Sequence, residues 1–197
     1  NQLFLRLLSA WFCNGLANGI PAALFLIYLE HSLLAGPEIR AIFILIYFVA
    51  AMCAIPIWLY LSHYFGKHRT WCFAMIIACL AFIIVPLMPE RSYILFGFIC
   101  FFTGSALGAD LILPPAMQAD VVDYDRLKFS RERVGQQFAF WGMATKFALA
   151  ISVGLALPVI GYFGFDPASP TLSGIFALTL IYAVLPVVLK VITICLI

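Results

Sequence analysis

Ala41-Ile-Phe-Ile-Leu-Ile-Tyr-Phe-Val-Ala-Ala-Met-Cys-Ala-Ile-Pro-Ile-Trp-Leu-Tyr-Leu-Ser-His63 is a continuous apolar run without a single Asp, Glu, Lys or Arg. A membrane-spanning helix needs about 20 such residues. A spanning strand would alternate apolar and polar positions over about ten residues, and nothing alternates here. Hydrocarbon offers the backbone no water to bond, so an unbroken run of this length is a helix. Five more runs of the same kind surround it, at roughly 3–29, 71–88, 93–118, 137–163 and 171–197. The fold class is therefore an all-α membrane protein, a single bundle of six transmembrane helices over residues 1–197. Composition agrees. The chain has 197 residues, 65% apolar and 10% charged, with mean hydropathy +1.09. Soluble domains average about 45–50% and about 25%, so neither a water-soluble globule nor a disordered chain fits.

The breaks between runs hold the turn signals and most of the charge: Glu30-His31 with Gly36-Pro37-Glu38, Gly66-Lys67-His68-Arg69, Pro89-Glu90-Arg91, the segment from Asp120 to Arg133, and Gly164 to Pro170. One side of the bundle collects Arg6, Lys67, Arg69, Arg126, Lys128, Arg131 and Arg133; the other has Arg40 and Arg91. The basic side is expected inside, with both termini cytoplasmic in the cell membrane. Lys190 is expected to snorkel to the headgroups near the C-terminus. The chain opens on Asn-Gln rather than Met, as a piece of a longer protein would.

Every run carries proline: Pro21, Pro56, Pro86, Pro114 with Pro115, Pro158 and Pro186. Kinks in all six suit helices curved round a cavity. Gly15-Leu-Ala-Asn-Gly19 and Gly104-Ser-Ala-Leu-Gly108 fall in the first and fourth runs, each followed by proline. Small residues at that spacing admit close helix contact. Their placement suggests a three-plus-three repeat, a common transporter construction. The third run is almost devoid of polar side chains and is expected to face lipid.

Charge inside hydrocarbon costs at least about 2.5–3.5 kcal/mol, so it marks candidate sites. Asp110 and Lys146 stand out, each about 12–13 Å from the inner ends of their runs. They form either a site on a water-filled cavity or a salt bridge joining two helices. Asn14 and Asn18 share one helix face and require partners in protein or water. Gln137, Trp141, Thr145 and Lys146 form a polar, aromatic stripe, suited to stacking on a sugar ring or to plain packing. Asp120, Asp123, Asp125, Arg126, Lys128, Arg131, Glu132 and Arg133 make a dense mixed-charge inner loop. It is either simply solvated or a cytoplasmic gate of ion pairs. The six cysteines lie in apolar runs as small buried hydrophobes. His31, His63 and His68 sit on both sides of the membrane and cannot meet on a metal. No Ser/His/Asp grouping, HExxH or phosphate loop is present, so no enzyme, metal or cofactor is expected, and the small charge excess does not point to nucleic acid.

Gln118-Ala-Asp-Val-Val-Asp-Tyr-Asp125, the basic stretch after it, and the run carrying Lys146 up to Gly161-Tyr162 resemble the C-terminal half of the glycoside–pentoside–hexuronide cation symporters. This is the melibiose permease group of the major facilitator superfamily. Asn14-Gly-Leu-Ala-Asn-Gly-Ile-Pro-Ala22 resembles that family's seventh helix, and Gly66-Lys67-His68-Arg69 its loop between helices eight and nine. The resemblance implies a twelve-helix transporter working by alternating access, of which this chain would supply helices seven to twelve, one half-bundle beside a missing N-terminal six-helix half. It implies a small solute, a sugar or glycoside, with Na⁺ or H⁺ as coupling cation. Substrate or cation binding then falls to Lys146, Asp110, Asn14, Asn18, Trp141 and Thr145. The gate falls to Asp120, Asp123, Arg126, Lys128, Arg131 and Arg133. A lipid-like solute and a non-transporting six-helix module that binds a partner are the alternatives.

Overall fold

The computed structural model describes residues 2–129, 134–167 and 169–197. Its regular elements are helical, six of them long and apolar enough to cross a membrane. They are α1 (Gln2–His31), α2 (Pro37–Phe65), α3 (Lys67–Ile84, continued by a 3₁₀ turn Val85–Leu87), α4 (Tyr93–Phe129), α5 (Val134–Tyr162) and α6 (Leu172–Leu196). Pro37 starts α2 behind Gly36, where its missing N–H costs nothing. Gly66 turns the chain from α2 into α3 at φ +82°, a conformation that L side chains resist. Thr171 caps α6 by accepting the Gly174 N–H at 3.1 Å.

Packing between helices follows the repeat. α1 lies on α5 and α6, α4 lies on α2 and α3, α3 meets α6, and α1 meets α4. Exchanging the first three helices for the last three leaves this contact set unchanged. The two GxxxG segments sit at equivalent seams. A Cβ on Gly15 would lie 2.8 Å from Ala148 Cβ, and one on Gly19 would lie 2.5 Å from Ser152 Oγ, so α1 and α5 touch almost backbone to backbone. Gly104 and Gly108 press α4 on the carbonyls of Tyr47 and Ala51 in α2 in the same way. Lipid tails are as apolar as leucine, so such close packing, not hydrophobic burial, holds the seams. Trp58 Nε1 donates across the second seam to the Ser105 carbonyl at 2.7 Å.

Two expectations are corrected. The third helix, expected to face lipid, does so along one side only: Phe73, Ile76, Leu80 and Ile83 are exposed, while half of the helix is buried. Trp71, Ala74, Met75, Ala78, Ala81 and Phe82 face the core. Apolarity cannot separate lipid from protein contact inside a membrane, whereas a stripe of alanines at helical spacing can. Residues 120–129 are not a loop either. They continue α4, whose 37 residues extend about 55 Å, well beyond an about 30 Å hydrocarbon core. The least buried helices are α2 and α5, which the repeat relates to each other.

In α6 the backbone widens into a π turn at Leu180–Val184. Pro186, two residues on, has no N–H to return to the Tyr182 carbonyl. Tyr182 is turned inward and stacks on Tyr28 with ring centroids 4.3 Å apart.

Candidate functional site

Two apolar clusters divide the bundle. One gathers Leu24, Leu29, Phe96, Leu178 and Tyr182, the other Leu7, Trp71, Leu113, Met117 and Trp141. Along α1, Asn14 and Asn18 fall between them, and along α6 Lys190 does. These polar side chains meet Asp110 of α4. Asp110 Oδ1 accepts from Trp71 Nε1 at 2.6 Å and Oδ2 accepts from Asn18 Nδ2 at 2.8 Å. Lys190 Nζ lies 3.6 Å from Asp110 Oδ2 and donates to Asn14 Oδ1 at 2.9 Å. Asp110 is 4% exposed, Lys190 2% and Asn14 0%. A charge in such surroundings is tolerable only when paired and hydrogen-bonded. The pair satisfies that condition using four of the six helices.

Asp110 and Lys190 reach a cavity of about 290 Å³. Asn18 and Thr103 add polar groups to it, while Phe25, Ile44, Phe48, Phe82 and Ile99 form an apolar wall. Leu26 and Phe48 of that lining are each 52% exposed, so the cavity opens between α1 and α2.

Lys190 therefore does not snorkel; it is the inner partner of Asp110. The sequence carries the signal for this placement. Pro186, Lys190 and Thr193 are the buried residues of the last helical segment, spaced for one face, and a polar pair on one face of a spanning helix points inward. Trp71, in the run expected to face lipid, donates to Asp110 instead.

Lys146 stands apart. It is exposed on α5 and, among the described residues, forms no ion pair or hydrogen bond, so its salt bridge with Asp110 is not formed. Trp141 and Thr145 turn toward α1. The Trp141 ring stacks on Trp11 at 4.8 Å, and Trp11 Nε1 donates to Thr145 Oγ1 at 2.8 Å. Gln137 Nε2 donates to Asp125 Oδ2 at 2.9 Å, joining α5 to the end of α4.

On the basic side, Lys67 Nζ pairs with Asp120 Oδ2 at 2.6 Å, fastening α3 to α4. Asp123 and Arg126 are exposed. Lys128 Nζ bonds Tyr124 Oη at 3.1 Å. Arg131 and Arg133, assigned to the gate from sequence, lie outside the described residues. Arg6 reaches the Leu196 carbonyl at 3.3 Å, so both ends of the bundle lie on one side. On the opposite side Arg40 pairs with Glu30 at 2.8 Å.

A six-helix, three-plus-three membrane bundle around a cavity with a buried charge pair is a construction common among secondary transporters. Over residues 1–197 the chain matches the family described as MFS/sugar transport protein, and it belongs to that melibiose-type family of the major facilitator superfamily. It is 26% identical over 165 residues to the sodium-dependent lysophosphatidylcholine symporter 1-A of Danio rerio, covering 83% of this chain and 31% of that protein. It is 24% identical over 165 residues to the Homo sapiens sodium-dependent lysophosphatidylcholine symporter 1, covering 83% and 30%. The chain thus spans about a third of the length of these relatives.

Proposed function

We propose that this chain is the C-terminal half, helices seven to twelve, of a Na⁺-coupled symporter of the cell membrane, with both termini cytoplasmic, carrying a lipid-like solute by alternating access. The observation that carries the reading is Lys146. It stands on the surface of the half-bundle, twelve residues into α5, about 18 Å along the helix. Facing lipid there would cost at least about 2.5–3.5 kcal/mol. An aqueous cavity shared with a second half-bundle removes that cost. The thinly covered faces of α2 and α5 are where such a half would sit.

The solute class rests on the cavity. Its lining is mostly apolar, with Asn18, Thr103, Asp110 and Lys190 among its polar groups, which suits one apolar chain with a polar group. The sugar reading loses its stacking surface, because Trp141 is already stacked on Trp11. Relatives named as sodium-dependent lysophosphatidylcholine symporters support both the ion and the solute class.

The test is Na⁺-driven uptake of a single-chain phospholipid by the intact protein in proteoliposomes. Lys146→Ala should abolish Na⁺-dependent accumulation while leaving insertion intact. Lys146→Arg should restore it only in part, since a planar guanidinium does not reproduce a compact ammonium. Normal uptake by Lys146→Ala removes Lys146 from the mechanism. Failed insertion of Lys146→Ala, with normal coupling in whatever protein survives, assigns it a structural role.

A further inference from the structure

The ammonium of Lys190 sits between two side-chain oxygens. Asn14 Oδ1 of α1 is 2.9 Å from Nζ and Asp110 Oδ2 of α4 is 3.6 Å away. Two oxygens from two different helices therefore converge on one point. The carboxylate does not depend on Lys190 for its hydrogen bonds, because Trp71 and Asn18 each hold one of its oxygens. Lys190 is less well served. Among the described residues it makes one hydrogen bond, to Asn14, beside its ion pair with Asp110. Asn14 Nδ2, wholly buried, has no hydrogen-bond partner among the described residues. The carboxylate thus keeps two hydrogen bonds without Lys190, and the cavity at Lys190 provides space into which the ammonium can withdraw.

We infer that Asp110 Oδ2 and Asn14 Oδ1 form a monovalent cation site inside this half-bundle, occupied by the tethered ammonium of Lys190, and that Na⁺ entering through the cavity competes with that ammonium. Carboxylate and amide oxygens are the donors a hard cation prefers. Exchange of Lys190 for Na⁺ keeps the buried carboxylate paired and removes the polar tie that Lys190 makes from α6 to Asn14 and Asp110, so ion binding changes which helices share the charge cluster. The proposed function supplies only the choice of Na⁺.

The experiment measures thermal stability of the intact purified protein in NaCl against choline chloride at matched ionic strength. A tethered lysine competes at an effective concentration in the millimolar range, so its removal should sharpen Na⁺ binding by about tenfold or more. Lys190→Met should therefore reach half-maximal stabilisation at about one tenth of the wild-type Na⁺ concentration. Asp110→Asn combined with Lys190→Met should lose that gain. Recovery of Lys190→Met only from Na⁺-containing buffer has the same meaning. Unchanged Na⁺ dependence in Lys190→Met overturns the inference, as does a gain that persists in the double variant. Failure of Lys190→Met to fold in any salt, while the double variant folds, also overturns it, since Na⁺ then cannot replace the ammonium. Stability rather than uptake is read, so the outcome is separate from that of Lys146.

Discussion

Replacing Gly104 by alanine should pull α2 and α4 apart. The new Cβ would meet the Tyr47 carbonyl oxygen and lie 2.9 Å from its carbon and 3.0 Å from Tyr47 Cα. All three are backbone atoms, so no side chain can rotate out of the way. Ordinary carbon contacts are about 3.5–4.0 Å, so the helices must separate by roughly 1 Å, and a gap of about that size forfeits up to half of each neighbouring contact. Overpacking of this kind costs about 1–3 kcal/mol. The Trp58 bond to Ser105, one residue from Gly104 on the same seam, adds about 1 kcal/mol when stretched. The sum is about 2–4 kcal/mol, or a fall of roughly 5–15 °C in the melting temperature of the purified protein. Gly142→Ala is the control. Nothing lies within 4 Å of its would-be Cβ, so relief of a mid-helix glycine should make it neutral or stabilising by up to about 1 kcal/mol. Equal melting temperatures for wild type, Gly104→Ala and Gly142→Ala would refute the claim that backbone contact holds this seam.

Three further outcomes are expected. Trp71→Phe keeps the ring but removes the donor to Asp110, and should lower stability by about 1.5–3 kcal/mol in thermal unfolding, with little of that loss when Asp110→Asn and Lys190→Met are already present. Lys67→Gln breaks a pair whose side chains are 37% and 60% exposed; it should cost under about 1 kcal/mol, so a clear change in inner-side accessibility of the cavity in that variant would assign the pair to gating rather than to stability. Asp123→Cys, in a background lacking the six native cysteines, should resist a membrane-impermeant maleimide in intact cells and react in inverted vesicles; labelling from outside would reverse the proposed orientation.

The six helices were legible because each is one continuous apolar run, and the repeat because GxxxG recurs at the same place in the first and fourth. The residues of the charge cluster were only half legible. Asp110, Asn14 and Asn18 announced themselves as polar groups in hydrocarbon. Lys190 did not, because seven residues from the chain end a lysine can equally reach the headgroups, and only the helix face it occupies decides between the two. Trp71 was hidden by its own apolarity, since an indole reads as lipid-facing until a carboxylate is found beside its N–H. Trp141 and Thr145 read as a stripe, but a stripe carries no mark of whether a neighbouring helix already covers it, as Trp11 does. The charged segment after Gln118 looked like a loop because its composition is that of a solvated surface. A helix that outgrows the membrane has the same composition once it leaves the hydrocarbon.

The wide turn at Leu180–Val184 governs the azimuth of everything that follows it in α6. A π turn holds one residue more than the α-helical turn it replaces, and each residue advances a helix by about 100°. Deleting a single residue from that turn would rotate Lys190 and Thr193 together by about that angle, away from Asn14 and Asp110 and toward the lipid, without altering one side chain of the charge cluster. The pairing of Lys190 with Asp110 is therefore encoded partly in the chain length of a segment that contains no charge at all, and an insertion or deletion there would act on the cluster as strongly as a substitution within it.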